Sequence, residues 1–193
     1  GLGDVYKRQA MYTYAVPQVD RVSFVSLVQT DVLHAEVVHT SQLRARVEQC
    51  LHSREPLAIV QAVSEYLPYL LGLYDCVLRD TILLRDDVHL TWRSMLVSSK
   101  FRLHGLLSEV CLMHMLYASS LRAEAATIVE ALGAYELGAH DRKACDDRLR
   151  VAIDLLCRAS GVCEYVATQL LPTYPAPPSK SAYPPELVSE GVQ

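Results

Sequence analysis

The sequence predicts a mostly α-helical protein with a small antiparallel β-sheet near its N-terminus, and three observations lead there. Apolar residues recur at helical spacing through four long stretches. Two short stretches, one at the start and one near residue 90, have the alternating or β-branched character of strands. The composition is 51% hydrophobic over 193 residues, ample for one sizeable core.

Taken in order, residues 1–10 do not join the pattern that follows and are expected to be a non-native leader of the sequencing-adapter kind, outside the fold. Met11-Tyr12-Thr13-Tyr14-Ala15-Val16-Pro17 is rich in aromatic and β-branched residues and ends in proline, so it is read as a strand. Residues 23–52 carry an interrupted apolar stripe (Val25, Val28, Val32, Val37, Leu43, Val47, Cys50), which fits one helix or two. A further helix begins after Ser53 with Pro56 in its first turn and runs through Val77, with a kink expected at Pro68. Asp86-Asp87 marks a break, and Val88-His89-Leu90-Thr91-Trp92 alternates as a strand able to pair with the first.

Residues 106–132 are apolar nearly all round in their first half, which predicts the central core helix. Gly133 and Gly138 bracket a polar connection through His140-Asp141-Arg142-Lys143. A long helix is then expected over residues 146–171, with Asp146 and Asp147 at its positive end and Pro172 as its stop. Six of the nine prolines fall in residues 172–185, an extended connection by composition. Glu186-Leu187-Val188 reads as the start of another helix, so residues 11–193 are expected to be the N-terminal part of a domain truncated at its C-terminal side.

Composition narrows the function. A net charge of −4 and a pI near 6.0, with no basic block, argue against a nucleic-acid partner. Charged residues interrupt every apolar run, so no uninterrupted stretch has the ~20 apolar residues of a membrane span. No apolar segment of signal-peptide type stands at the N-terminus. The six cysteines are scattered without Cys-x-x-Cys spacing, which favours reduced, buried thiols in a cytosolic protein over disulfides.

Candidate chemistry is sparse. His140, Asp141, Cys145 and Asp146 share one connection, but their spacing matches no common zinc pattern, and neither a metal nor a cofactor is expected. Phosphate loops, Gly-x-Ser-x-Gly elbows and His-Glu-x-x-His motifs are absent, and no cysteine is better placed than the others as a nucleophile. Asp146, Arg150, Asp154 and Arg158 follow at i, i+4. Such a ladder stabilises an exposed helix by roughly 0.2–0.5 kcal/mol per pair without any partner, and it also suits presentation of alternating charge to a partner helix. Ala159-Ser160-Gly161 inside the same helix predicts a second backbone packed closely there, because mid-helix glycine costs about 1 kcal/mol.

Four ordered stretches resemble the BRO domain of ALIX-like endosomal adaptors. Leu70-Leu71-Gly72-Leu73-Tyr74-Asp75 is similar to that family's Leu-Leu-x-x-Tyr-Asp, and Leu90-Thr91-Trp92-Arg93 to its strand with a Trp before a basic residue. Residues 109–118 correspond to its Glu followed by an apolar central helix. Leu149-Arg150-Val151-Ala152 followed by Ala159-Ser160-Gly161 is similar to its Leu-Lys-x-Ala and Ala-Ser-Gly at the same spacing. The likeness spans residues 11–193 and includes Pro184-Pro185-Glu186-Leu187, similar to the start of the family's next helix. Met113-His114-Met115-Leu116 replaces a Leu-Phe-Asn, and the loop after Asp80 is short.

The resemblance implies a curved helical solenoid with a tetratricopeptide-like core. It also implies a non-catalytic adaptor that binds the amphipathic C-terminal helix of ESCRT-III subunits of the charged-multivesicular-body type. Localisation would be cytoplasmic and endosome-associated, which allows peripheral membrane association. The apolar anchors of such a helix-in-groove site would lie beyond Gln193. Asp146 and Arg150 match an acidic and a lysine position of its polar rim, while Asp154 reverses the charge of a second lysine position. A helical-repeat scaffold unrelated to ESCRT is the alternative reading, and a helical enzyme using a buried Cys or His is a more distant one.

Overall fold

The computed structural model describes residues 16–29, 33–85, 88–135, 142–174 and 183–188. The protein is mostly helical, with one small antiparallel sheet. Helix α1 is His34–Ser53, α2 is Pro56–Leu78, α3 is Leu106–Tyr135 and α4 is Arg142–Tyr165. Each packs against the helix before it in the chain. Only Arg54 and Glu55 separate α1 from α2, and Arg54 turns the chain in the left-handed region at φ 57°. The leader residues 1–10 and the break at Asp86-Asp87 lie outside the described residues.

Helix α2 begins with Pro56 in its first turn, where a missing N–H costs nothing. Pro68 lies inside it without ending it. Its buried residues, among them Ile59, Val63, Tyr66, Leu70 and Leu73, recur at i, i+3 and i+4 and face both neighbouring helices. By length and composition α2 qualifies as a membrane span, contrary to the expectation that no stretch would. Ile59, Val60, Val63, Tyr66, Leu67, Leu70 and Leu73 are buried in the core, Leu57, Tyr69 and Leu78 are exposed, and Glu65 and Asp75 on its outer side pair with Arg46 and Arg79. Helix α3 is the central element as predicted, with residues 108–116 all buried.

Of the expected first strand over residues 11–17, only Val16 and Pro17 are described, and they are not strand. Residues 11–15 lie outside the described part, and the strand there is, β1, Gln18–Val19. It pairs antiparallel with β2, His89–Arg93, which pairs antiparallel with β3, Lys100–His104. In β2, Leu90 and Trp92 point into the core and His89 and Arg93 outward, following the two-residue pleat. Strand β3 went unpredicted because Lys-Phe-Arg-Leu-His places a single fully buried residue, Leu103, on the inner face. Gly105, at φ 81°, then turns the chain into α3 and donates its N–H to the Val88 carbonyl at 2.9 Å.

The predicted helical stretch over residues 23–52 divides into a 3₁₀ turn, Phe24–Ser26, and α1. The Phe24 ring is fully buried, and its N–H donates to Ser41 Oγ at 3.0 Å, pinning the N-terminal segment to α1. Residues 27–29 pair with residues 83–85 through the Gln29 N–H to Leu83 carbonyl and Arg85 N–H to Leu27 carbonyl bonds.

An ion pair lies inside this core. Arg44 of α1 donates from Nε to Glu109 Oε1 of α3 at 2.5 Å, and from Nη2 to the Asp20 carbonyl at 3.2 Å. The Tyr66 hydroxyl of α2 donates to the same Glu109 oxygen at 3.3 Å, so three helices share one carboxylate. Burial works against the Arg44 charge, but Glu109 together with Tyr66 and Glu48 outweighs it, and the guanidinium pKa is raised above its usual value. Burial, then the same carboxylate, pushes the Tyr66 phenol well up, which keeps it a donor.

Candidate functional site

Both predicted site residues, Asp146 and Arg150, lie on the outer side of α4. This helix was expected over residues 146–171. It starts at Arg142, so the two aspartates sit one turn inside it rather than at its positive end. After Tyr165 the backbone changes to a π-helical turn, Val166–Leu170, and then a 3₁₀ turn, Leu171–Thr173, that contains Pro172. Proline lacks the N–H that an α-helical turn would use, and the chain adjusts its winding ahead of it.

Helix α4 touches the protein along a narrow line. Ala152, Ala159 and Val166, seven residues apart, are its buried contacts, with Leu170 one turn further. Ala159 packs with Val60 of α2 and with Ala118 and Leu121 of α3. The expectation that Ala159-Ser160-Gly161 as a unit seats a second backbone is therefore right for Ala159 alone. Ser160 and Gly161 are exposed, and a Cβ added at Gly161 would meet nothing within 4 Å.

Along one flank of that line, Leu149, Ile153 and Leu156 follow at i, i+4 and i+7 and are 42%, 58% and 44% exposed. Helical geometry puts Asp146 and Arg150 next to this stripe on its solvent side, and Asp154 further round, facing away from the core. This is an amphipathic face with its apolar stripe uncovered and its charges alongside. The i, i+4 ladder does not form as drawn. Arg150 Nη1 meets Asp147 Oδ1 at 3.5 Å, three residues back, with both side chains largely in water. Arg158 is drawn away to α3, where it donates from Nη2 to the Tyr117 hydroxyl at 2.5 Å. Asp146 and Arg150 are therefore brought to one face but not to each other.

The cysteines are free thiols where described. Burial pushes the Cys111 thiol to about 12, which makes it a poor nucleophile at neutral pH. His114 beside it in sequence is buried, and its Nδ1 donates to the Val110 carbonyl at 2.7 Å, which fixes the proton on that nitrogen. Its ring lies 5.4 Å from that of Tyr165. Among the described residues no group of three or more His, Cys, Asp and Glu side chains is placed to hold a metal. His140 and Asp141 lie outside them.

One buried carboxylate escaped the sequence reading. Glu186, in the 3₁₀ turn Pro185–Leu187, is 1% exposed and accepts hydrogen bonds from Trp92, Ser94 and Met95. Its position after two prolines marks the start of an element, but no sequence signal links it to a strand more than ninety residues earlier.

The fold and this surface together define a mostly helical protein with an uncovered amphipathic helix face. The chain is similar to the pH-response regulator protein palC of Cryptococcus neoformans var. neoformans serotype D (strain B-3501A), at 29% identity over 181 aligned residues. The match covers 81% of this chain and 37% of that protein, so the chain spans just over a third of its relative's length. No family model and no solved structure matches.

Proposed function

We propose that this chain is the N-terminal part of a BRO-type, ALIX-like adaptor domain, non-catalytic, that binds the amphipathic C-terminal helix of an ESCRT-III subunit in endosomal sorting. The observation that carries the reading is the uncovered flank of α4, where Leu149, Ile153 and Leu156 are exposed beside Asp146 and Arg150. Apolar anchors flanked by charges of both signs suit a helix-in-groove partner, with the charges setting register. The resemblance stretches support it, since Trp92 lies on a strand and Glu109 opens the core helix. Similarity to a pH-response regulator favours a regulatory adaptor. Helices that each pack on the preceding one suit a solenoid, in which a following helix would cover part of the α4 stripe.

The test is titration of a fluorescent ESCRT-III C-terminal helix peptide into the chain extended by its downstream sequence. Binding is expected, and Asp146→Ala should weaken it by about three- to tenfold, as a rim charge of roughly 1 kcal/mol would. Absence of binding at millimolar peptide would sink the ESCRT reading. A plain helical-repeat scaffold, the second reading, would then remain, favoured by the i, i+4, i+7 stripe that any neighbouring helix would cover.

A further inference from the structure

Residues 183–188 lie far along the chain from the sheet, yet they end inside it. The Glu186 carboxylate accepts at Oε1 from the Met95 N–H at 2.6 Å and from the Trp92 indole Nε1–H at 3.4 Å. Ser94 Oγ stands 2.9 Å from both Oε1 and Oε2. The Ser94 oxygen itself accepts the N–H groups of Leu96 at 3.0 Å and Val97 at 3.1 Å. With both acceptor directions taken, its single proton is left for the carboxylate.

Every one of these donors belongs to β2 or the turn after it. The carboxylate's donors are therefore all supplied by the hairpin, with the Ser94 oxygen also tying the turn together, while α3 contacts the same 3₁₀ turn. Among the described residues no cation pairs with Glu186; neutral N–H and O–H groups carry its charge, as they do where a protein is shaped to recognise an anion. Leu187, 4% exposed, and Pro184 fill the apolar surroundings.

The other side of the contact is short, a single 3₁₀ turn that follows the connecting residues 175–182 in the chain, but Leu187 in it joins the main hydrophobic core. The two ends of that connection are themselves fastened together. The Tyr174 and Tyr183 rings meet edge to face at 5.0 Å, and the Tyr174 hydroxyl bonds Ser108 Oγ at 2.6 Å. The segment is thus short and linear, seated on the hairpin and α3 rather than forming a helix of its own beyond one 3₁₀ turn.

We propose that the β2–β3 hairpin carries a carboxylate-receptor pocket for a short proline-led Glu-Leu segment, and that residues 184–187 occupy it in cis. While occupied, it holds Pro184 to Leu187 against the hairpin. Vacated, it offers the same donors and apolar floor to another peptide of that chemistry. The pocket is on a different part of the molecule from the α4 face and stands whatever α4 binds.

Trp92 is the chain's one tryptophan and its indole N–H touches the ligand carboxylate, so its fluorescence reports occupancy directly. The full 193-residue chain is compared with Glu186→Ala and Glu186→Gln. Expected for Glu186→Ala is a shifted Trp emission with unchanged far-UV circular dichroism. The hexapeptide Tyr-Pro-Pro-Glu-Leu-Val, the sequence of residues 183–188, should then restore the emission saturably. The same peptide with Gln for Glu should bind about tenfold more weakly, because the charge-assisted bonds are lost. Ser94→Ala added to the Glu186→Ala chain should remove that discrimination. Emission identical to the parent chain, no saturable peptide effect, or equal binding of the Glu and Gln peptides would each overturn the proposal. So would loss of helical circular dichroism in both variants, which would make Glu186 a core residue and not a pocket's ligand.

Discussion

Arg44 and Glu109 stand 65 positions apart in sequence and meet in the interior, where each is about 1% exposed. Two buried charges stabilise little as a pair, because desolvation consumes most of the attraction, but removing one strands the other. Arg44→Ala and Glu109→Ala are each expected to cost about 3–5 kcal/mol in urea unfolding. The double replacement Arg44→Met with Glu109→Leu should cost less than either single change, and a larger cost would contradict this account. His114 makes a different prediction. Burial lowers its pKa from 6.5, the bond to the Val110 carbonyl only partly opposing this. The unfolded chain then takes up a proton more readily than the folded one, so stability rises with pH across this window and falls as pH drops below about 6.5. His114→Phe should flatten the Tm against pH curve between pH 7 and 5. A curve parallel to the parent's would assign the dependence elsewhere.

At the scale of elements, α4 shows how a pattern is read correctly for its period and wrongly for its surroundings. The sequence placed a helix there and a strong reason for small residues at 159–161. Only Ala159 meets the core, since a helix touching its neighbour along residues 152, 159 and 166 turns Ser160 and Gly161 away. Gly161→Ala is therefore expected to stabilise the protein by about 0.5–1 kcal/mol, through helix propensity with no steric cost, raising Tm measurably. A destabilised variant would mean that another backbone does pack there. In the sheet, β2 was legible because Leu90 and Trp92 alternate with polar neighbours. Strands β1 and β3 were not, one being two residues long and the other mostly polar, and both exist because β2 offers them partners.

For the molecule as a whole, the α4 stripe is the largest consequence of its architecture. Helices α1, α2 and α3 bury most of their apolar residues and expose apolar ones singly, whereas α4 buries a line centred on Ala152 and Ala159 and leaves Leu149, Ile153 and Leu156 in water together. Such a face seeks another apolar surface. The 193-residue chain alone is expected to self-associate at high concentration, and Leu149→Glu with Ile153→Glu and Leu156→Glu should return it to a monomer in sedimentation without lowering Tm. A parent chain that is monomeric throughout would remove the stripe's claim to be an interface. The relative that this chain matches is longer, with the chain covering 37% of it.

Sequence alone determined the helical class, the central helix, the Trp92 strand and the amphipathic character of α4. Each of these follows from local periodicity, which neighbouring residues in the chain express by themselves. Only the tertiary structure decided which side of α4 is covered, that Arg44, Tyr66 and Glu109 share one buried site, and that Glu186 closes on the hairpin of Trp92. Those outcomes depend on residues distant in sequence meeting in space, where burial turns an ordinary arginine or glutamate into a group that must find its partner. No periodicity records such a meeting.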